Sequence, residues 1–119
     1  MKTVLGLLLF ICLDIPAFAG YKTIGFKTST LSERQTDRPL ELVVWYPSTT
    51  TAPPQLIADT PVFSGDLAVR DAPPTAGTYP LVVLSHGFRG NWGNQSWLAS
   101  ALAHQGYIGA AGNPPRTST

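Results

Sequence analysis

Apolar and polar residues change their spacing several times along this chain, and each change marks an element. Tyr21 to Lys27 alternates, with Ile24 and Phe26 on one side, as a half-buried strand does. Leu40 to Tyr46 (Leu-Glu-Leu-Val-Val-Trp-Tyr) is richer in β-branched and aromatic types and predicts a second strand, stopped by Pro47. The polar stretch Ser29 to Arg38 between them reads as a loop, and strands joined in this way most simply pair antiparallel. From Pro47 to Pro80, repeated prolines punctuate a Thr/Ala-rich stretch that cannot hold a helix. Within it, Val62-Phe63 and Leu67 to Val69 flank Ser64-Gly65-Asp66 as a small hairpin, and the whole reads as an elaborated surface loop.

The pattern then changes to a continuous apolar run, Leu81-Val82-Val83-Leu84, which predicts a strand buried on both faces of a parallel sheet. A turn, Ser85-His86-Gly87-Phe88-Arg89-Gly90, follows it. Asn94 is placed to cap a helix running to about Gln105, with Trp97, Leu98, Ala101 and Leu102 as the stripe facing the sheet and Gly106 ending it. Tyr107 to Ala111 is a further short strand. Strand, helix and strand make a βαβ unit, expected to be right-handed and parallel. The fold class is therefore α/β.

Composition narrows the function classes. Charged residues make up 13% of the 119 residues, with a net charge of +1, against a usual charged share of about 25%. That balance argues against a nucleic-acid or other polyanion partner. The single cysteine, Cys12, falls in the first twenty residues, so a disulfide scaffold, a zinc knuckle and thiol chemistry are all excluded from residues 20–119. A chain of this size buries only roughly two-thirds of its unfolded surface, which makes it marginal without further support.

The first nineteen residues read as a secretory leader. Lys2 precedes the apolar run Val4 to Leu13, Pro16 breaks it, and Ala17-Phe18-Ala19 places small residues where signal peptidase needs them. The rival reading, a membrane anchor, needs about 20 apolar residues, and Asp14 interrupts the run. A lipidated Cys12 is disfavoured by the bulky Phe10 and Ile11 before it. The expected organisation is a signal peptide at 1–19 and a domain at 20–119, exported or periplasmic, with no stable membrane insertion after cleavage.

A buried strand running into His-Gly-x-x-Gly ahead of a helix is suited to presenting main-chain N–H groups to a developing negative charge, because glycine permits the sharp turn. Ser85 and His86 are neighbours whose side chains point to opposite faces, so they do not form a nucleophile–base pair. His104 reads as a flanking histidine, and Trp92 and Trp97 as packing residues. The two histidines and scattered carboxylates have no metal-ligand spacing.

The wording of these segments resembles the α/β-hydrolase superfamily, in its dienelactone hydrolase-like and platelet-activating factor acetylhydrolase-like branch. The resemblance rests on Arg38-Pro39-Leu40 leading into Val44-Trp45-Tyr46-Pro47, and on Tyr79-Pro80-Leu81-Val82-Val83-Leu84-Ser85-His86-Gly87-Phe88, and it continues from Asn94-Gln95 to Tyr107. It implies that the backbone N–H of Phe88 is one oxyanion-hole donor, and that Ser85, His86, Gly87, Arg89 and Gly90 support the loop. It also implies a small ester, lactone or acetylated phospholipid as substrate, with no cofactor and no metal. In the family's strand order the two leading strands lie beside the Tyr107 strand, with Leu81 to Leu84 beyond it as an open apolar edge.

The family's nucleophile sits in G-x-S-x-G after the next strand, followed by an acid and a histidine. No G-x-S-x-G occurs in this sequence. Gly109 within a strand, and Gly112-Asn113-Pro114-Pro115-Arg116 after it, also depart from the family's wording and suggest divergence or a broken reading frame near residue 109. The expectation is the N-terminal part of a hydrolase, truncated and inactive by itself. A non-catalytic binding module derived from the front of such a fold is the alternative.

Overall fold

The computed structural model describes residues 20–32, 39–87 and 90–113. The leader at 1–19, the segment 33–38, Phe88 and Arg89, and the tail from 114, with Pro114-Pro115-Arg116, lie outside the described residues.

Six strands form one mixed sheet: β1 (Thr23–Ser32), β2 (Pro39–Ser48), β3 (Gln55–Ile57), β4 (Asp66–Arg70), β5 (Leu81–Leu84) and β6 (Ile108–Asn113). Their order is β3-β4-β1-β2-β6-β5. β1 and β2 pair antiparallel from Thr23↔Ser48 to Ser32↔Pro39, so Ser29 to Ser32, expected in a loop, continues the strand. β2 pairs antiparallel with β6, and β6 pairs parallel with β5. The helix α1 (Ser96–His104) connects these last two strands, and the βαβ unit is parallel as its pattern requires.

Pro47 does not stop β2, which runs on to Ser48. β6 pairs with β2 only as far as Trp45↔Gly109, and the Pro47 carbonyl accepts a hydrogen bond from Thr75 N at 3.0 Å. The N and C=O of one strand residue point to the same side, so the proline's missing N–H falls where no neighbouring strand needs it.

The stretch from Pro47 to Pro80 is more than a surface loop. Leu67 lies in β4, but its hairpin partner is β3, through Leu56↔Leu67, and not Val62-Phe63. β4 then joins β1 in parallel at Gly25↔Val69 and Phe26↔Arg70. Ile57 and Ala68 enter the core at 0% and 1% exposure. A three-residue strand directly after Pro53-Pro54 has too little periodicity to stand out.

Cross-strand register puts Ile24, Phe26, Val43, Trp45, Gly109, Ala111 and Leu84 on one face, and α1 packs there. The helix does so through Ser96, Ala99, Ser100 and Ala103, not through the expected stripe. Trp97 is 61% exposed, Ala101 is exposed, and Leu98 and Leu102 are half-buried. The reason is distance: a Cβ on Gly109 would stand 3.1 Å from Ala99 Cβ, and only small residues allow helix and strand to approach so closely. The large side chains are turned out. Gly109, which reads oddly as a strand residue, is thus the floor under the helix.

The helix start also differs. Asn91, rather than Asn94, caps a 3-10 turn (Trp92–Gln95), accepting from Gly93 N at 2.8 Å, and α1 grows from that turn with no side-chain cap of its own. The end is as expected: Gly106 adopts φ +87°. Gly106 N bonds to Ala103 O and Tyr107 N to Leu102 O, at 3.1 and 3.0 Å, the paired closure that a left-handed glycine permits.

The opposite face carries Gly25 and Tyr46 as direct partners. A Cβ on Gly25 would fall 2.2 Å from the Tyr46 ring, so the ring lies on the glycine, and the Tyr46 hydroxyl donates to Ala72 O at 2.5 Å. Burial, and secondarily the Asp71 carboxylate, raise the Tyr46 pKa above the ordinary 10.0. The fold therefore favours the neutral phenol. This stabilisation is complete below the ordinary value and is lost as pH rises through the raised one. Alkaline unfolding should begin above that ordinary value, and Tyr46→Phe should flatten the pH dependence there, as read by near-ultraviolet circular dichroism beside phenolate absorbance.

β5 forms one edge of the sheet. The expectation that it is buried on both faces fails, because Leu81 and Val83 are 61% and 73% exposed while Leu84 packs on the core. α1 covers one face; on the other, the Ala72–Pro74 segment lies over Tyr46, while Leu81 and Val83 of β5 stay exposed. The unpaired edge is apolar, which is a template for strand addition.

Candidate active site

β1, β4, β5 and β6 run the same way, and the turn of interest leaves the C-terminal end of β5. Such ends, next to a strand-order crossover, are where open α/β sheets bind ligands. β5 is followed in sequence by α1 and β6, yet β6 lies between β2 and β5, so the crossover falls at this turn.

The local sequence explains the turn's shape. Gly90 N bonds back to Gly87 O at 2.9 Å. A Cβ on Gly90 would meet Gly87 O and Asn94 Nδ2 at 3.0 Å each and His86 Cβ at 3.2 Å, so the close approach favours glycine, and a larger residue would have to push its neighbours aside. Gly87 has nothing within 4 Å of its Cβ position, and its glycine is not required by packing among the described residues.

His86 is half-buried, and its Nδ1 donates to Gly87 O at 2.9 Å. That contact puts the ring proton on Nδ1 and leaves His86 bound to its own loop. The Ser85 side chain is exposed, whereas its carbonyl accepts from Gln95 Nε2 at 3.0 Å. Gln95 thus ties the end of β5 to the start of α1. Phe88 and Arg89 lie outside the described residues, so the donor N–H assigned to Phe88 by resemblance has no geometry here.

Beneath the turn sits an aromatic cluster. Phe26 and Trp45 have ring centroids 5.1 Å apart, and Trp92 stands 5.5 Å from Phe26 and 5.8 Å from Trp45. The Arg70 guanidinium lies 5.1 Å from the Phe26 ring. Trp92 N donates to Asn113 Oδ1 at 3.0 Å, and Asn113 Nδ2 to Glu41 Oε2 at 2.9 Å. The Trp92 turn is therefore pinned over the end of β6. Trp92 is a packing residue as its sequence context suggests, whereas Trp97 is not.

Asn91, Gln95 and Asn113 are the residues that sequence reasoning passes over. The only trace they leave is the density of amides after the turn, Asn91, Asn94 and Gln95. His104 flanks the helix end, where its Nδ1 donates to Tyr21 O and its carbonyl accepts from Tyr21 N at 2.8 Å. It takes no part in the turn. No three His, Cys, Asp or Glu side chains gather as metal ligands among the described residues, and no helix among them is long and apolar enough to cross a membrane.

A partial α/β sheet with its glycine turn at the C-terminal end of a parallel strand is a hydrolase-like fold. The chain is similar to a solved ferulic acid esterase from Streptomyces cinnamoneus, with 28% identity and a TM-score of 0.68. The similarity covers 84% of this chain and 36% of the esterase, so the chain spans well under half the esterase's length. No family profile and no curated protein matches the sequence.

Proposed function

We propose that this chain is the N-terminal part of a secreted serine α/β-hydrolase acting on a carboxylic ester, lactone or acetylated phospholipid, in the dienelactone hydrolase-like and platelet-activating factor acetylhydrolase-like branch. The observation that carries the reading is the Ser85–Gly90 turn at the C-terminal end of β5, closed by the Gly90–Gly87 hydrogen bond and held to α1 through Gln95. The likeness to a ferulic acid esterase supports it and puts aromatic esters among the substrates to test. Phe88 supplies a backbone N–H to the oxyanion, with Ser85, His86, Gly87, Arg89 and Gly90 holding the loop. The nucleophile, its acid and its histidine belong to a part of the hydrolase that these 119 residues do not include, so the chain alone has a charge-stabilising element and no activated nucleophile.

The test is complementation. Joined to the remaining portion of the Streptomyces cinnamoneus esterase in place of that enzyme's own front part, the chain should support saturable hydrolysis of nitrophenyl esters. The 119-residue chain by itself should match a non-specific protein surface. A folded chimera without turnover, or inhibitor-sensitive turnover by the pure chain, would count against the reading.

Export is a separate proposal. Cleavage after Ala19 leaves Gly20 as the first residue, and intact-mass measurement of exported protein should find that start. A folded product retaining Met1 to Ala19 would reject it.

A further inference from the structure

The two edges of the sheet are not alike. β3 closes one edge with three residues directly after Pro53-Pro54, a short and proline-guarded strand that resists pairing. β5 closes the other with Leu81-Val82-Val83-Leu84, and no proline, Lys, Arg, Asp or Glu occurs from Leu81 to Gly87. We infer that this edge is an interface for a second copy of the chain, the two β5 strands pairing antiparallel about a two-fold axis at Val82. The inference stands apart from the hydrolase reading and does not depend on it.

The hydrogen-bonding pattern sets the register. Ile108 N donates to Pro80 O at 2.9 Å, and β5 lies parallel to β6 with Leu81↔Ile108 and Val83↔Ala110 as partners. The backbone groups of successive strand residues point to opposite sides. Val82 therefore turns its N–H and C=O toward β6, as Pro80 turns its carbonyl, whereas Leu81 and Val83 turn theirs to the open side. These two residues lie symmetrically about Val82. A copy turned end for end places Leu81 against Val83 of the second copy, and each such pair exchanges two hydrogen bonds, with Val82 meeting its own copy as the non-hydrogen-bonded pair between them. Every open backbone group of β5 is then used. The neighbouring registers do not achieve this. An axis at Val83 calls on the Ser85 carbonyl, which already accepts from Gln95 Nε2 at 3.0 Å. An axis at Leu81 calls on Tyr79, which lies outside β5 and is held by its hydroxyl to Ala76 O at 2.8 Å.

The side chains agree with the backbone. Leu81 and Val83 are 61% and 73% exposed and share the face away from α1, so two aliphatic groups from each copy meet across the axis. Cross-strand aliphatic pairs of this kind stabilise a sheet, and no like charges oppose each other. Because a two-fold contact is closed, pairing consumes the edge and association stops at two copies. Four residues a side, against roughly 20–30 in a stable interface, make the dimer weak and dependent on concentration.

The test is sedimentation of the 119-residue chain beside its thermal unfolding. The chain should show a monomer–dimer equilibrium, and its unfolding midpoint should rise with protein concentration. Val83→Lys, at an exposed position where the monomer tolerates it, should weaken association by about tenfold or more and leave the midpoint independent of concentration. Unchanged association in Val83→Lys overturns the inference, as does a chain that stays monomeric at high concentration or is unfolded at every concentration. The register is read separately by oxidation, in a Cys12→Ser background so that each variant carries one thiol. Val82→Cys should form a disulfide-linked dimer about tenfold faster than Val83→Cys, because the paired Val82 Cα atoms stand about 4.5 Å apart, within disulfide reach, while Val83 faces Leu81 of the second copy. Random collision would favour the opposite order, since Val82 is the less exposed of the two. Equal rates, or a faster Val83→Cys, refute the interface.

Discussion

In a hydrolase completed around this chain, Phe88→Pro should lower turnover by about a hundred- to thousandfold with the nucleophile still in place, because it removes the N–H proposed as one oxyanion donor. The expectation follows from where the turn sits. β5 delivers the chain to the C-terminal end of its parallel pair with β6, and the Gly90–Gly87 bond brings the two ends of the turn together there. A side-chain change at Phe88, such as Phe88→Leu, keeps the N–H and should retain most of the rate. Proline also restricts the turn's geometry, so circular dichroism accompanies the assay. Unchanged turnover in a folded Phe88→Pro variant would show that another group stabilises the oxyanion.

The second large effect is on stability, and it comes from a glycine far from any chemistry. Gly109→Val should lower unfolding free energy by about 1–3 kcal/mol or more, the usual cost of forcing extra carbons into a packed interface. Against a total of roughly 5–15 kcal/mol for a whole domain, that is a large fraction. A Cβ at this position meets Ala99 Cβ at 3.1 Å and Ala99 Cα at 3.3 Å. The second of these is helix backbone, which yields only if α1 as a whole lifts from the sheet. Denaturant midpoints should therefore fall steeply for Gly109→Val and hardly move for Gly87→Ala, whose Cβ would meet no described residue within 4 Å. A cycle with Ala99→Gly should restore part of the loss in Gly109→Ala, since the two positions share one gap. Additive effects would mean that the contact is not what fixes the helix.

Those two glycines illustrate what can be read from the sequence. The strong strands are legible because their signal is side-chain chemistry: Leu40 to Tyr46 is β-branched and aromatic, and Leu81 to Leu84 is a pure apolar run. The order in which β1, β2, β6 and β5 lie follows once the hydrolase resemblance is granted. The face of α1 is not legible by hydrophobicity, since Ala99, Ser100 and Ala103 carry less apolar surface than Trp97 and Leu98, and the contact rewards smallness over size. β3 and β4 escape notice for a different reason. Three residues after two prolines have no period of their own, and only pairing with β4, and through it with β1, makes Gln55–Ile57 a strand. At the candidate site, the glycine turn announces itself, whereas Gln95 and Asn113 act through side-chain hydrogen bonds to residues ten or more positions away, which leave no local pattern.

The strand order also has a consequence for how this chain is made. β5 is synthesised before β6, yet its hydrogen-bonding partner in the sheet is β6, which itself must first dock on β2. A ribosome that has just released Leu84 has produced a strand with nowhere to go. About thirty further residues must follow before Asn113 is available, roughly 1.5 to 6 s at 5–20 residues per second. Through that interval Leu81 to Leu84 lack their partner strand, while β1 and β2 can already form their hairpin.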